Sequence, residues 1–588
     1  MPINLEQLRN LREQARINFD LIDRGDILLP GFLRPCRMRI LMVVDGYTGS
    51  FLNITYGRLY FSLATVVDTL TNNPEWWVKF NITKAHRQTD PLGAADVNGF
   101  RFTAGSLDNY DQVWLFGART DDAERLSDTE LEVLSRWMDQ GGGVLAMGDH
   151  ADLGAGLCSR IPRVRSMRKW TNAQGVPQPT GANRHDTLLK GHDGFYTFND
   201  ESDDRPMRTE VRKYPLSSWS PFFHRSQPHP VLCGADGVID ILPDHPHEGE
   251  VIEPSDLTQN FSFGAYVNKP EYPNVAGNQP APEIIAWAFV QGDHTNGLGG
   301  AAGTDRNKGA ANAKRFGAVG AYDGHGVNVG RVVVDSTWHH WFDVNLVGRP
   351  LGPGQDPVDP VTAADPKSQG FEFSADGQAA LARIKNYFRN VGIWLASPTK
   401  QHCMFMHALW GGVLRYPLVE QLSPKLPLWE LGTYARDAIG RRAGQCTIIE
   451  WVFKLFPLEI QEVFRPKIPR PDPCLSCPPF EVLEAYTLGG IVREMLTLAY
   501  DARVGKAKVS EESLAKTMVV GGEQGVKEFF RVQHNSLEQT RSLMQRLEPN
   551  LKIQAKAEMF VHKETARITK KGAAKKVAAR RKTKVRRG

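Results

Sequence analysis

Gly141-Gly142-Gly143-Val144-Leu145-Ala146-Met147-Gly148-Asp149-His150 is the stretch that decides the fold. Three glycines in a row stop a helix, because each is worse than alanine in a helix interior by roughly 1 kcal/mol. Four apolar residues follow without a polar break, the pattern of a strand buried on both faces, and the run ends in a carboxylate and an imidazole. Immediately upstream, Ser127 with Glu130 three residues on forms a capping box, and Leu131, Leu134 and Met138 share one face, so a helix is predicted over 127–140. Working back, Gln112–Gly117, Trp77–Thr83 and Arg39–Gly46 read as strands, with a helical stretch over 57–71 between the first two in chain order. Working forward, Glu283–Val290 and Gly330–His340 read as strands, and Ala379–Leu395 has helical spacing. Strands alternating with helices predict a parallel sheet flanked by helices, an α/β domain over 36–398 with large Pro/Gly-rich insertions between about 151 and 330 and at 349–370.

Outside that domain the pattern changes. Residues 1–35 open with an amphipathic helical lead-in, where Asn4 can cap and Leu5, Leu8, Leu11, Ala15, Phe19 and Ile22 recur at three- and four-residue steps. Residues 399–562 are helical in pattern and predict a separate all-α domain, split by a Pro-rich hinge at 466–479. The apolar stripes of that domain fit a protein partner or self-association. No apolar run reaches the ~18–20 residues of a membrane helix, and no charged segment followed by an apolar core opens the chain, so a cytoplasmic protein without a membrane span is expected.

In an open parallel sheet, ligands bind beyond the carboxyl ends of the strands. That rule selects Asp45 and Gly46 after the first strand, Gly148, Asp149 and His150 after the strand at 144–147, and Trp338, His339, His340 and Asp343 after the strand at 330–335. Asp149, His150, His339 and His340 are the candidate catalytic residues, and Asp45, Gly46, Gly148, Trp338 and Asp343 the candidate substrate contacts. Imidazole nitrogen and carboxylate oxygen suit a divalent metal, zinc, iron or manganese, with His150 and His339 as ligands. The same groups also suit a metal-free acid/base pair, or simple solvation of the sheet's open edge. Eleven of the 16 His lie between His150 and His340.

These segments together resemble the class I glutamine amidotransferase-like superfamily and, within it, the trehalose-utilisation (ThuA-like) proteins. The resemblance rests on the strand ending at Asp45-Gly46, the strand at 112–117, the helix and glycine run ending at His150, and Gly330-Arg-Val-Val-Val-Asp-Ser-Thr-Trp-His-His340, with Asn386–Ala396 similar to the family's closing helix. It implies a flavodoxin-like fold. In true amidotransferases a nucleophilic Cys follows the glycine-run strand; the matching position here is Gly148, so glutamine hydrolysis is not expected. The ThuA-like branch, linked to carbohydrate metabolism, carries polar residues there, matched by Asp149-His150, with His339 or His340 at the late His. The resemblance implies a link to carbohydrate metabolism but fixes no reaction; with the Asp and His at the strand ends, the expectation is an enzyme binding a polar, carbohydrate-like small molecule, of hydrolase or isomerase class, and the alternative is a catalytically inactive scaffold or interaction protein with a nucleic-acid-binding tail.

Charge divides the chain. With 71 Lys+Arg and 66 Asp+Glu the formal net charge is +5, but residues 563–588 hold 12 basic residues and one acid, leaving the rest at −6. Lys570, Lys571, Lys575, Lys576, Arg580, Arg581 and Lys582 stand in this tail among Ala and Gly, a composition that builds no core and predicts disorder, and that neutralises phosphates by counterion release. The seven Cys, irregularly spaced, predict no disulfide framework and fit a reducing compartment. Cys474 and Cys477 read as free thiols in the hinge, Cys158 as a buried structural thiol, His402 and His407 as core or interface residues, Asp244–Glu248 as a solvated turn, and Gly297–Arg315 as a mobile glycine-rich loop.

Overall fold

The computed structural model describes residues 35–45, 51, 62–90, 93–119, 125–149, 153–170, 207–215, 226–243, 249–290, 314–347, 371, 375–413, 426–456 and 480–584. The lead-in through residue 34, the hinge at 466–479, Gly46, His150, Asp244–Glu248, Cys474, Cys477 and most of Gly297–Arg315 lie outside them. Two compact units divide at Gly522, residues 1–522 and 523–588.

The first unit is built on a nine-stranded sheet: β1 (Cys36–Val44), β2 (Val78–His86), β3 (Val97–Asn98), β4 (Gln112–Phe116), β5 (Gly143–Met147), β6 (Glu210–Val211), β7 (Glu283–Val290), β8 (Lys314–Tyr322) and β9 (Val332–Asp335). Its order is β3-β2-β1-β4-β5-β9-β8-β7-β6. The six strands from β3 to β9 run parallel, and β8, β7 and β6 are added antiparallel. The expected all-parallel sheet is therefore mixed. The difference lies in β8, whose Arg315-Phe-Gly-Ala-Val-Gly-Ala-Tyr322 carries too little apolar bulk to read as a strand. Its glycines have a physical cause: a Cβ at Gly317 would meet the Val251 carbonyl oxygen at 2.2 Å, because another backbone crosses the strand there.

Helices α1 (Ala64–Thr71), α2 (Asp128–Asp139) and α3 (Ala375–Trp394) accompany the sheet. The capping box forms as its residues dictate: Glu130 N–H donates to Ser127 Oγ, and Ser127 N–H donates to Glu130 Oε2. Helix α2 ends where Gly141 takes a φ of +102°, a left-handed conformation open to glycine. The core is the apolar content of these elements, with Ile40–Val44, Val113–Phe116 and Val144–Met147 fully buried. Removing each such side chain from water contributes about 1.5–3 kcal/mol.

Helices α4 (Pro398–Val413), α5 (Leu428–Ala443), α6 (Gln445–Phe453) and α7 (Phe480–Arg503) belong to the same compact unit as the sheet. This corrects the expected separate helical domain. Two disulfides join the layers, Cys36–Cys403 and Cys233–Cys446, across sequence separations of 367 and 213. They correct the reading of the cysteines as reduced and unpaired, whose partners are too distant in sequence for spacing to reveal. Cys158 is free and buried, as read. A buried ion cluster adds to the join: Arg331 binds Asp323 at 2.9 Å and also pairs with Glu450, and Lys454 binds Asp323 at 2.8 Å.

Helix α8 runs over Glu511–Lys584 with Pro549 inside it. The basic tail is thus helical to Lys584, not disordered. Ala, Lys and Arg are strong helix formers, and a solvated helix needs no core of its own. Within residues 523–588 the pairs Glu523–Lys527 and Glu548–Lys552 sit at four-residue spacing. Among the described residues no helix is long and apolar enough to cross a membrane.

Candidate functional site

Register brings the polar strand ends to one line. Val44 pairs with Phe116, Phe116 with Met147, and Met147 with Asp335, so four parallel strands finish flush. The residues just beyond them, including Asp45 and Asp149, therefore share one edge of the sheet.

Asp149 is fully buried, and its Oδ2 lies 3.3 Å from His339 Nε2. Thr337 Oγ1–H donates to Asp149 Oδ1 at 3.2 Å and accepts the His339 backbone N–H at 3.0 Å, so one hydroxyl ties the carboxylate to the His339 backbone. Trp338 packs its ring 4.1 Å from the His339 ring, tilted by 30°. Arg168, which the sequence reading passed over, is buried and donates to the carbonyls of Asp149 and Ser336, tying the ends of β5 and β9 together. Its guanidinium lies 4.2 Å from the Trp170 ring.

Asp45 accepts the backbone N–H groups of Ala118 at 2.8 Å and Arg119 at 2.6 Å on Oδ2, while Oδ1 is buried without a hydrogen-bond partner among the described residues. Burial pushes this carboxyl up to about 6 against the lowering effect of those N–H groups. Cys158 feels both Asp45 and Arg168, and burial raises its thiol far above the ordinary range, so it is no thiolate nucleophile. Gly148 offers no room for one either: a Cβ there would meet the Leu153 carbonyl oxygen at 2.4 Å and Trp170 at 2.9 Å.

Two candidates are drawn into other contacts. His340 Nδ1 lies 2.8 Å from Asp335 Oδ1, and Asp335 Oδ2 accepts from Trp341 Nε1 and Tyr387 OH at 2.8 Å each, a buried network that the Thr337 N–H, 3.4 Å from Asp335 Oδ1, joins to the Asp149–His339 pair. Asp343 Oδ1 accepts the Thr65 N–H at 3.0 Å, so a residue 278 positions away caps α1, whose own N-cap is Leu63. Burial pushes Asp343 up to about 6 despite its hydrogen bonds from Thr65 and Ser62.

The sequence reading stopped β2 at Thr83; the strand runs on to His86, which pairs with Val44 at the same edge of the sheet. His86 is fully buried, its Nδ1 accepts the Gln88 N–H at 3.0 Å, and its Nε2 has no hydrogen-bond partner among the described residues. A chain of alternating polar residues, Asn81-Ile-Thr-Lys-Ala-His86, hid it.

At the opposite end of the sheet, the turn between β8 and β9 faces α4 and α6 across a cavity of about 370 Å³. His325, Gln401, His402, Phe405, Trp451 and Lys454 line it. Burial, and then the Arg331 charge, hold His325 well below its ordinary value, and burial lowers His402, so both imidazoles are neutral at pH 7. His402, read as core or interface, thus faces a cavity.

Among the described residues the strand-end groups form no three-ligand metal cluster; the group that offers one is Cys36, Cys403 and His407. Lys570 and Lys571 are exposed on α8, while the side chains of Lys575, Lys576, Arg580, Arg581 and Lys582 lie outside the described residues. Comparison with known proteins finds no family model and no curated sequence that matches the chain.

Proposed function

We propose that the chain is a ThuA-like enzyme that binds a polar, carbohydrate-like small molecule at the carboxyl ends of the sheet and acts on it by acid/base chemistry, as a hydrolase or isomerase. The observation that carries this reading is the buried Asp149–His339 pair at 3.3 Å, set at the ends of two parallel strands. In it Asp149 orients the imidazole, and His339 moves the proton. Asp45, its carboxyl pushed up by burial to about 6, is a further group at the same sheet edge able to change protonation near neutral pH. The order β2-β1-β4-β5-β9 is the 2-1-3-4-5 order of flavodoxin-like sheets, which supports the resemblance. The closed space at Gly148 supports an enzyme without the amidotransferase Cys.

The test is turnover of a panel of glycosides and ketoses by the parent, His339→Ala and Asp149→Asn proteins, each checked for folding. Turnover by the parent and its loss in both variants supports the reading; equal turnover in folded His339→Ala rejects His339 as the base.

The scaffold reading is favoured by a different observation. Leu537, Leu543, Met544, Met559 and Val561 are 56–69% exposed on the 523–588 unit, beside exposed Lys570 and Lys571. In this reading the apolar residues take a protein partner and the basic end takes nucleic acid.

A further inference from the structure

We propose that Cys36, Cys403 and His407 bind a zinc ion when the Cys36–Cys403 disulfide is reduced, so that a single crosslink between sheet and helices exists in two chemical forms. One ligand atom from each residue lies within 4.8 Å of the others. Cys403 and His407 are four residues apart on α4, which places both on one face of the helix. Cys36 opens β1 and reaches them from a site 367 residues away.

The imidazole is the second, independent sign of a ligand. His407 is 4% exposed, and its Nε2 is buried with no hydrogen-bond partner among the described residues. Leaving such an atom unpaired costs roughly 1–3 kcal/mol. The other disulfide, Cys233–Cys446, has no such third group among the described residues.

Charge and softness select the metal. Two thiolates cancel the charge of a divalent ion and a neutral imidazole adds none, so the assembled centre is net neutral and suits a buried position. Sulfur and nitrogen donors favour zinc over calcium or magnesium. Three protein ligands leave the fourth tetrahedral position for water. The chemistry balances with either reductant: a dithiol delivers two electrons and two protons to the S–S bond and becomes a disulfide, whereas a phosphine delivers the two electrons, water supplies the two protons and its oxygen ends on the phosphine oxide; zinc then displaces the two thiol protons to solvent. Cys403 is partly exposed and gives the reductant its access. Under oxidation the tether between β1 and α4 is covalent; under reduction zinc restores it.

The test uses the full chain carrying Cys474→Ser and Cys477→Ser, which removes the thiols closest in sequence, and adds Cys233→Ser, which should leave the band unchanged, as the control for the second disulfide. The protein is reduced with a phosphine, freed of metal, and titrated with cobalt(II) and then zinc. One equivalent of cobalt with a sulfur-to-metal charge-transfer band, displaced by zinc and absent from the oxidised protein, is the expected result. The band should vanish in Cys36→Ser. His407→Ala should weaken cobalt by more than the ~10-fold that even an outer-shell partner is worth. Cys403→Ser replaces Cys36→Ser if the latter fails to fold. A reduced parent without the band, a band retained after loss of either Cys, or unchanged affinity in His407→Ala overturns the proposal.

Discussion

His339 Nε2 and Asp149 Oδ2 sit 3.3 Å apart, both side chains out of contact with solvent, although 190 residues separate them in the chain. Thr337 bonds to the Asp149 carboxylate and to the His339 backbone N–H. If the pair acts as a unit, its substitutions should not add. We expect His339→Ala and Asp149→Asn each to lower kcat by about 10²–10⁴-fold, and the double variant to fall little further. Steady-state kinetics on any substrate found in the carbohydrate panel measures this; full additivity would show two independent residues.

Asp45 makes stability depend on pH. Its folded value near 6 stands above the ordinary 3.8, so the protonated form is the one the fold prefers. The stabilisation is complete below about pH 4 and is lost as pH rises through about 6, a difference on the order of 3 kcal/mol for this fully buried group. Asp45→Asn keeps an acceptor for the Ala118 and Arg119 N–H groups and should flatten that part of the curve. Asp343, shifted in the same direction, leaves a residual slope that Asp343→Asn should remove. Urea unfolding between pH 4 and 7 gives the slopes, and an unchanged slope in Asp45→Asn contradicts the assignment.

Gly148→Ala should destabilise the protein by about 1–3 kcal/mol or more, because the new methyl meets a backbone carbonyl at 2.4 Å rather than a side chain that can turn away. Gly148→Cys should be worse and should gain no glutaminase activity. A variant as stable as the parent in urea would show that the Leu153 backbone yields.

Arg331 is fully buried among Asp323, Glu450 and the Trp394 carbonyl. Arg331→Met strips the buried guanidinium from Asp323 and Glu450, whose side chains are 30% and 15% exposed, so the loss should fall below the roughly 3–5 kcal/mol of a fully buried pair, at about 1–3 kcal/mol. Thermal unfolding checks this. A loss below 1 kcal/mol would mean that the cluster is open to solvent.

Removal of 563–588 should abolish retention on DNA or RNA, and retention by the full chain should weaken linearly as the logarithm of salt rises. Equal retention by the truncated protein would assign any nucleic-acid contact to another surface.

Much of the fold is legible in the residues because a strand buried on both faces must be apolar throughout. β4, β5 and most of β1 announce themselves in this way, β7 is apolar although one face is partly open, and the Ser127–Glu130 box marks the start of α2. β8 does not, since its glycines answer to the crossing backbone at Val251 rather than to its own strand. His86 was missed because an alternating strand end looks like a loop. The Thr65 partner of Asp343 was not legible, because a carboxylate after a strand looks the same in sequence whether or not it caps a helix 278 residues earlier.

The sequence by itself determined six of the nine strands, β1, β2, β4, β5, β7 and β9, which of them end in carboxylates and imidazoles, and that a +11 segment stands beside a −6 body. Each of these is a property of neighbours along the chain, fixed by local burial pattern or by counting charges. Only the tertiary structure decided that Asp149 meets His339 while His340 turns to Asp335, that the helices over 398–503 join the sheet, and that Cys36 finds Cys403 beside His407. Those outcomes depend on strand order and register, which bring together residues that share no sequence neighbourhood, and no local pattern carries that information.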